Sequence, residues 1–294
     1  MKSLRVLLAG AIDYAGLFPP AKLDMFAAVK NYNAYRQSEH EWALGRFIVP
    51  ASRLFEFEEA LRSLPGRGPS QWHLSALVGM KTSDDVSSIK NFNDRQGTTS
   101  AEIDTVELKA SSPNEIDGMA RTIPSPLTTY VEIPIAVNPN PFITAIRDSG
   151  LRAKVRTGGV TGDAFPSAAD LARFIHECAK PRVPFKATAG LHHPLRATYR
   201  LTYESDSPTG MMHGFLNVLV ASVVAYAGGG VEDITSILEE QSISVFDFNE
   251  GGLSWRSHKL NVTTLAALRG EFAISFGSCS FTEPIQDLQS LGLL

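Results

Sequence analysis

The chain has 294 residues, 44% hydrophobic and 20% charged, a length that suits one α/β barrel of about 250 residues with modest insertions. Its formal net charge of −4 and scattered Lys and Arg residues exclude a phosphate-backbone binder, so no nucleic-acid partner is expected. Only two cysteines, Cys178 and Cys279, occur in a chain with core enough to fold without a disulfide, which points to a reducing, cytoplasmic compartment.

Residues 1–10 (MKSLRVLLAG) have a basic start and then an apolar run, but Asp13 interrupts it, and the segment reads as a buried strand, 5–12, rather than a leader. The following stretch, Asp13 to Lys22, sets a carboxylate, a phenol (Tyr14) and a lysine around Gly16 and Pro20. It either caps a site or is a rigid surface loop with Pro20 opening the next helix. Further β-rich runs are 46–51, 73–79, 105–110, 129–135, 152–158 and 184–190, each closed by Gly, Pro or Ser. Between them lie helical patterns. In 52–64, Leu54, Phe55, Phe57, Ala60, Leu61 and Leu64 recur near a 3.6-residue period. In 166–180, Ser167 and Asp170 resemble a capping box, and Leu171, Phe174, Ile175 and Cys178 form one face. The longest apolar stretch, 211–227, contains His213 and Asn217 and falls short of the ~20 residues a membrane helix needs, so no membrane partner is expected.

Strand–helix alternation repeated this often predicts a (β/α)8 TIM-type barrel, one domain over 1–294. The alternative, an open doubly wound sheet, lacks a Gly-x-Gly-x-x-Gly fingerprint after the first strand. Two segments compete for the eighth strand. One is 243–248, which also reads as half of a hairpin turning on 249–252; the other is 273–281, which makes 231–272 an inserted hairpin and helix region.

Barrel interiors are normally filled by branched apolar side chains, yet four neighbouring strands here carry ionisable residues in alternating positions. Glu107 and Lys109 share a face, Glu132 sits mid-strand, Lys154 and Arg156 share a face, and Lys186 shares one with Thr188. The opposite faces, with Ala153 and Val155 or Phe185 and Ala187, suit packing against outer helices, which turns the charged faces inward. A single inward lysine reads as readily as a structural ion pair, but four strands together point to a site. Thr157, Gly158 and Gly159 end one strand and Gly190 the next, where glycine lets a backbone N–H approach an anion; a tight turn is the plainer reading of each glycine. Lys154 and Lys186 on adjacent strands, with Arg156 close by, suit Schiff-base chemistry, because a nearby cation and desolvation both favour a neutral, nucleophilic amine. Glu132 or Glu107 would shuttle protons. Asp13, Lys109, Arg156, Thr157, Gly158, Gly159, Gly190, His192 and His193 are the candidate substrate-binding residues.

Lys154-Val-Arg-Thr157-Gly158 resembles the Lys-x-x-Thr-Gly segment that carries the Schiff-base lysine of deoxyribose-phosphate aldolases. Lys186-Ala-Thr-Ala-Gly190 is similar to that family's next-strand Lys-Ala-x-Gly-Gly, with Ala189 where the family has glycine. Residues 102–106 resemble its strand with a proton-relay aspartate, here Asp104, and 276–280 resemble its final Phe-Gly-x-Ser-Ser phosphate turn. The resemblance, carried by four short segments, implies that 273–281 is the eighth strand. It also implies an aldolase-like lyase or isomerase acting on a small anionic carbonyl metabolite, phosphorylated or carboxylated, with no cofactor. Register sets one conflict: if Asp104 faces inward, Glu107 and Lys109 face outward, whereas the position of active sites at strand C-termini favours the latter pair.

Two alternatives stand beside this reading. His192 and His193 follow the seventh strand and, with Glu132, would supply a metal-dependent lyase, isomerase or hydrolase, although no His-Glu-x-x-His spacing occurs. A non-catalytic ligand-binding barrel would keep the pocket without turnover. His73 and His213 read as core or helix-end histidines. Cys279 has no general-base partner in the sequence and is not read as a nucleophile, and a homodimer is the base-rate expectation.

Overall fold

A computed structural model describes residues 1–65, 71–96 and 101–294. The chain opens with α1 (Lys2–Leu8), β1 (Ile12–Tyr14), α2 (Met25–Tyr35), β2 (Leu44–Pro50), α3 (Leu54–Ser63), β3 (Trp72–Leu77) and α4 (Thr82–Gln96). It continues through β4 (Ala101–Lys109), α5 (Pro113–Thr122), β5 (Thr128–Glu132), α6 (Asn140–Asp148), β6 (Arg152–Arg156), α7 (Ala168–Ala179) and β7 (Phe185–Thr188). A hairpin of β8 (Ala197–Arg200) and β9 (Thr209–Met212) precedes α8 (Phe215–Tyr226) and α9 (Val231–Glu239). Then come β10 (Phe246–Phe248), β11 (Gly252–Trp255), β12 (His258–Asn261), α10 (Val262–Glu271), β13 (Ala273–Ser278) and α11 (Thr282–Ser290).

β1 to β7 and β13 pair in parallel and close into a barrel in the order β1-β13-β7-β6-β5-β4-β3-β2, so the fold is a (β/α)8 barrel. The eighth strand is therefore the 273–281 candidate. The competing segment, 243–248, supplies β10 of a separate antiparallel sheet, β10-β11-β12, inside the 231–272 insertion.

The expected strand over 5–12 is instead the helix α1, and strand structure begins only at Ile12. Leu4, Leu7 and Leu8 recur at helical spacing and are buried, and with Val6 as its one β-branched residue Lys2–Leu8 has little strand preference. Nor does Pro20 open the next helix. Asp24 does, accepting a hydrogen bond from the amide of Ala27 at 2.8 Å as an N-cap should. In α3, Leu54, Phe57, Ala60 and Leu61 are buried, but Phe55 faces solvent. In α7 the expected cap and face both form. Ser167 Oγ accepts from the Asp170 amide, and Phe174 meets Phe185 edge-on at 5.4 Å, packing the outer side of β7. Burial of one such ring stabilises the fold by about 1.5–3 kcal/mol.

The insertion sheet lies against α1, where the amide of Ser3 donates to the carbonyl of Asn249 and that of Lys2 to Glu250. The buried guanidinium of Arg269 in α10 donates to the carbonyls of Ala9, just ahead of the first barrel strand, and Ala273, the first residue of the last. These elements occupy the N-terminal end of the barrel and leave the C-terminal end for a cavity. Among the described residues no helix is long and apolar enough to cross a membrane.

Candidate active site

Parallel pairing places Lys109 beside Glu132, Glu132 beside Lys154, Lys154 beside Lys186 and Lys186 beside Ser275, so one layer of the barrel interior is polar across β4 to β13. Within it the charges alternate. Lys186 Nζ lies 2.6 Å from Asp13 Oδ2 and 2.7 Å from Glu107 Oε1, while Lys154 Nζ lies 2.8 Å from both Glu107 Oε2 and Glu132 Oε2. The result is a continuous ladder, Asp13–Lys186–Glu107–Lys154–Glu132, with every member buried. Two serines complete it. Ser275 Oγ donates to Asp13 and Ser75 Oγ to Glu107, each at 2.7 Å. The backbone amide of Arg46 gives Asp13 a further bond at 2.7 Å. Buried charges persist when paired and hydrogen-bonded in this way.

The pairing sets the protonation states. Burial alone would lower the pKa of Lys186, but Asp13 and Glu107 outweigh it and raise the value above the ordinary lysine range. Burial likewise pushes Glu107 upward, and Lys154 and Lys186 more than reverse this, holding it well below the usual carboxylate range. Glu132 is lowered for the same reasons, burial being overcome by Lys154, Lys109 and Arg156. The expected mutual repulsion of the two lysines is absent because Glu107 stands between them. A second cation therefore does not make the Lys186 amine neutral here.

The ladder forms one wall of a cavity of about 690 Å³ at the C-terminal end of the strands. Glu107, Glu132, Lys154 and Lys186 line it, with Lys109 and Arg156 more exposed at its rim. The facing wall is apolar. Phe18 and Pro20 from the loop after β1, Ile48 of β2, and Leu77, Val78 and Met80 at the end of β3 build it. Charge on one side and hydrocarbon on the other suit a ligand with a polar head and an apolar body.

Of the candidate substrate-binding residues, Lys109, Arg156, Gly159, Gly190 and His192 line the cavity. Asp13 does not cap the site from a loop. It lies in β1 beneath Lys186 because strand pairing with β13 begins at Ile12. Thr157 is fully buried and donates its hydroxyl to the carbonyl of Ala189 at 2.6 Å, tying the end of β6 to β7 rather than facing a ligand. Gly158 and Gly190 are packing glycines. A Cβ on Gly158 would sit 2.9 Å from Gly190 Cα and 2.5 Å from the Phe165 ring. His193 turns away, stacking on Tyr199 with centroids 3.6 Å apart and bonding Asp287 at 2.6 Å. His192, His193 and Glu132 thus do not converge, and among the described residues no group of three or more His, Cys, Asp or Glu side chains is arranged to hold a metal ion.

The Asp104 conflict dissolves at a register irregularity. Leu74 pairs with Ile103 and Ser75 with Thr105, so Asp104 is passed over and strict alternation is broken. Asp104 binds the Arg46 guanidinium at 2.6 and 3.0 Å and His73 at 3.0 Å, in the lower half of the barrel and outside the cavity. Glu107 takes the position between the lysines. His73 is accordingly an exposed partner of Asp104 rather than a core histidine, while His213 is buried and bonds the carbonyl of Pro166. Sequence reasoning missed the two serines, whose signal is a hydroxyl at an inward position of an otherwise apolar strand. It also missed a histidine beside Cys279: His192 Nδ1 lies 3.8 Å from Cys279 Sγ, a contact made by two segments far apart in the chain.

Fold and site together define a (β/α)8 barrel with a lysine–carboxylate ladder in the wall of an open, two-faced cavity at its strand C-termini. No protein-family model matches the chain, and no curated protein matches it.

Proposed function

We propose that this barrel is a Schiff-base lyase or isomerase, aldolase-like in chemistry, with Lys154 as the nucleophile. The observation that carries the reading is the ladder's asymmetry. Both lysines line the cavity between two carboxylates, but Lys186 is held by Asp13, which lies outside the cavity lining, and is kept protonated, whereas Lys154 shares Glu132 with Lys109 and Arg156 at the rim. Either carboxylate can accept a proton from Lys154 as its nitrogen attacks a carbonyl carbon. The carbinolamine then loses water, and the same carboxylates favour the charged iminium over the neutral imine, which is the form that withdraws electrons from a neighbouring carbon–carbon or carbon–hydrogen bond. Arg156 and Lys109 at the rim suit the carboxylate or phosphate of the substrate, and the apolar wall suits a hydrocarbon or aromatic remainder.

Borohydride reduction in the presence of a panel of aldehydes and ketoacids, some bearing apolar substituents, tests this by peptide mass mapping. The expected result is a reduced adduct on Lys154 that is lost in Lys154→Met. An adduct confined to Lys186 overturns the assignment of the nucleophile. Saturable binding of a panel member with no adduct and no turnover overturns the enzyme reading in favour of a ligand-binding barrel.

A further inference from the structure

The ladder mechanism leaves one nucleophile of the cavity unused. Cys279, the residue after β13, lines the same cavity as Lys154 and is closely surrounded. His192, from the loop after β7, presents Nδ1 to Cys279 Sγ at 3.8 Å, to Ser278 Oγ at 3.4 Å and to Glu283 Oε2 of α11 at 3.4 Å. Tyr203, between β8 and β9, places its hydroxyl 3.6 Å from the same sulfur and 3.1 Å from Glu283. Three separate segments, those of His192, Tyr203 and Glu283, thus converge around one thiol. Cys178 offers the contrast, enclosed in the apolar face of α7 with burial raising its pKa.

The hydrogen bonds orient the protons. Glu283 is held below the ordinary carboxylate value, since burial is outweighed by His192, His193 and Tyr203, and an ionised carboxylate only accepts. Nδ1 of His192 therefore carries a proton and points it at the sulfur and the carboxylate together. Burial lowers the pKa of this imidazole, but Cys279 and Glu283 raise it further, to about 9, so the ring is cationic at neutral pH. The ring thus sets a proton donor beside the sulfur. Three of these groups, His192, Tyr203 and Glu283, also line a second cavity of about 260 Å³ under the β8–β9 hairpin, and His192 borders both spaces.

We infer that Cys279, with His192 and Glu283, is a second covalent site of the barrel, a thiol that adds reversibly to the carbonyl of an aldehyde. In this step the sulfur–carbon bond forms as the π pair of the carbonyl moves to oxygen. As the Nδ1 proton of His192 passes to the oxygen, the thiol proton moves onto the nitrogen it vacates, so one proton is transferred net from sulfur to oxygen, the product is a neutral hemithioacetal, and no oxidant or reductant is consumed. The apolar wall opposite the ladder makes an aliphatic or aromatic aldehyde the class of ligand that fits. The inference does not depend on Lys154, because the thiol cluster makes no contact with the ladder in its hydrogen bonds or ion pairs.

Two measurements on the full chain test it. With hexanal labelled with carbon-13 at its carbonyl, the wild type should show a hemithioacetal carbon resonance that persists in Lys154→Met and vanishes in Cys279→Ser; an imine resonance on Lys154 behaves the opposite way, so the two proposals fail separately. With iodoacetamide at neutral pH, Cys279 should be alkylated and Cys178 left intact, and His192→Gln should slow the reaction at least about threefold, a modest factor because thiolate nucleophilicity falls as the thiolate is stabilised. Tyr203→Phe, which removes only a hydroxyl at the open side, serves as the second variant should His192→Gln fail to fold, and it should also slow the alkylation. Absence of the Cys279-dependent resonance, or an alkylation rate indifferent to these substitutions, overturns the inference.

Discussion

Replacing Lys186 with methionine keeps most of the side chain's length and removes its charge from between two buried carboxylates. Asp13 would retain Ser275 and the Arg46 amide, and Glu107 would retain Lys154 and Ser75. Removing one partner of a buried ion pair costs about 3–5 kcal/mol. The surviving hydrogen bonds put this case at about 3–4 kcal/mol, or a fall in Tm of about 6–16 °C at about 2–4 °C per kcal/mol for a chain of this size. The pH dependence follows from the signs. Lys186 has a raised folded pKa, so its contribution is fully present below the ordinary lysine value and is lost only as pH rises through the higher folded one. Glu107 has a depressed folded pKa, so its contribution is present above the ordinary glutamate value and is lost as pH falls toward the folded one. Without Lys186 a stranded carboxylate can take up a proton in acid, so the gap between wild type and variant should narrow from about pH 7.5 to about pH 4.5. Urea and thermal melts at the two pH values measure it. A Tm loss under about 3 °C at the higher pH, or a gap that widens in acid, would falsify the ladder as a source of stability.

Two further outcomes are expected. Gly158→Ala sets a methyl 2.5 Å from the Phe165 ring and 2.9 Å from Gly190 Cα, and such overpacking costs about 1–3 kcal/mol. Gly162→Ala, with nothing within 4 Å of the new methyl, is the control and should melt with the wild type. His192 should titrate near 9 by imidazole NMR. Its raised value means that it stabilises the fold below the ordinary 6.5 and that the benefit fades as pH rises through 9; a midpoint at or below 6.5 contradicts the packing of Glu283 and Cys279 on its ring.

The barrel was legible because its signal is repetitive: six of the seven early strand segments and the α7 cap follow period and punctuation directly. The failure at 5–12 has a local cause. An eight-residue apolar run carries no length cue to separate helix from strand, and only the spacing of Leu4, Leu7 and Leu8 distinguishes them. At the site, alternation along β4 to β7 was enough to turn Glu107, Glu132, Lys154 and Lys186 inward. Their pairing was not readable, because which carboxylate stands between which lysines depends on the stagger of neighbouring strands and on one irregularity beside Asp104. The thiol cluster was wholly hidden, since Cys279 and His192 meet only through the closure of β13 against β7. The glycines at 158 and 190 meet a packing demand against Phe165 and each other that the sequence did not show, and Gly190 also lines the cavity.

The hydrogen bond from Ser275 to Asp13 joins residues 262 positions apart, and it belongs to the seam where the first barrel strand meets the last. During synthesis β1 therefore waits for nearly the whole chain before its second neighbour emerges, on the order of tens of seconds at typical elongation rates. Through that interval β1 presents an open strand edge, and β7 a second one once it has been made, the kind that recruit other chains. Asp13, facing that gap, is a carboxyl group turned inward on a bare edge, and β13 brings the serine that makes its burial tolerable. The same carboxylate that anchors Lys186 in the finished barrel is thus a guard on the nascent one, and aggregation during refolding should concentrate in chains shortened before residue 273.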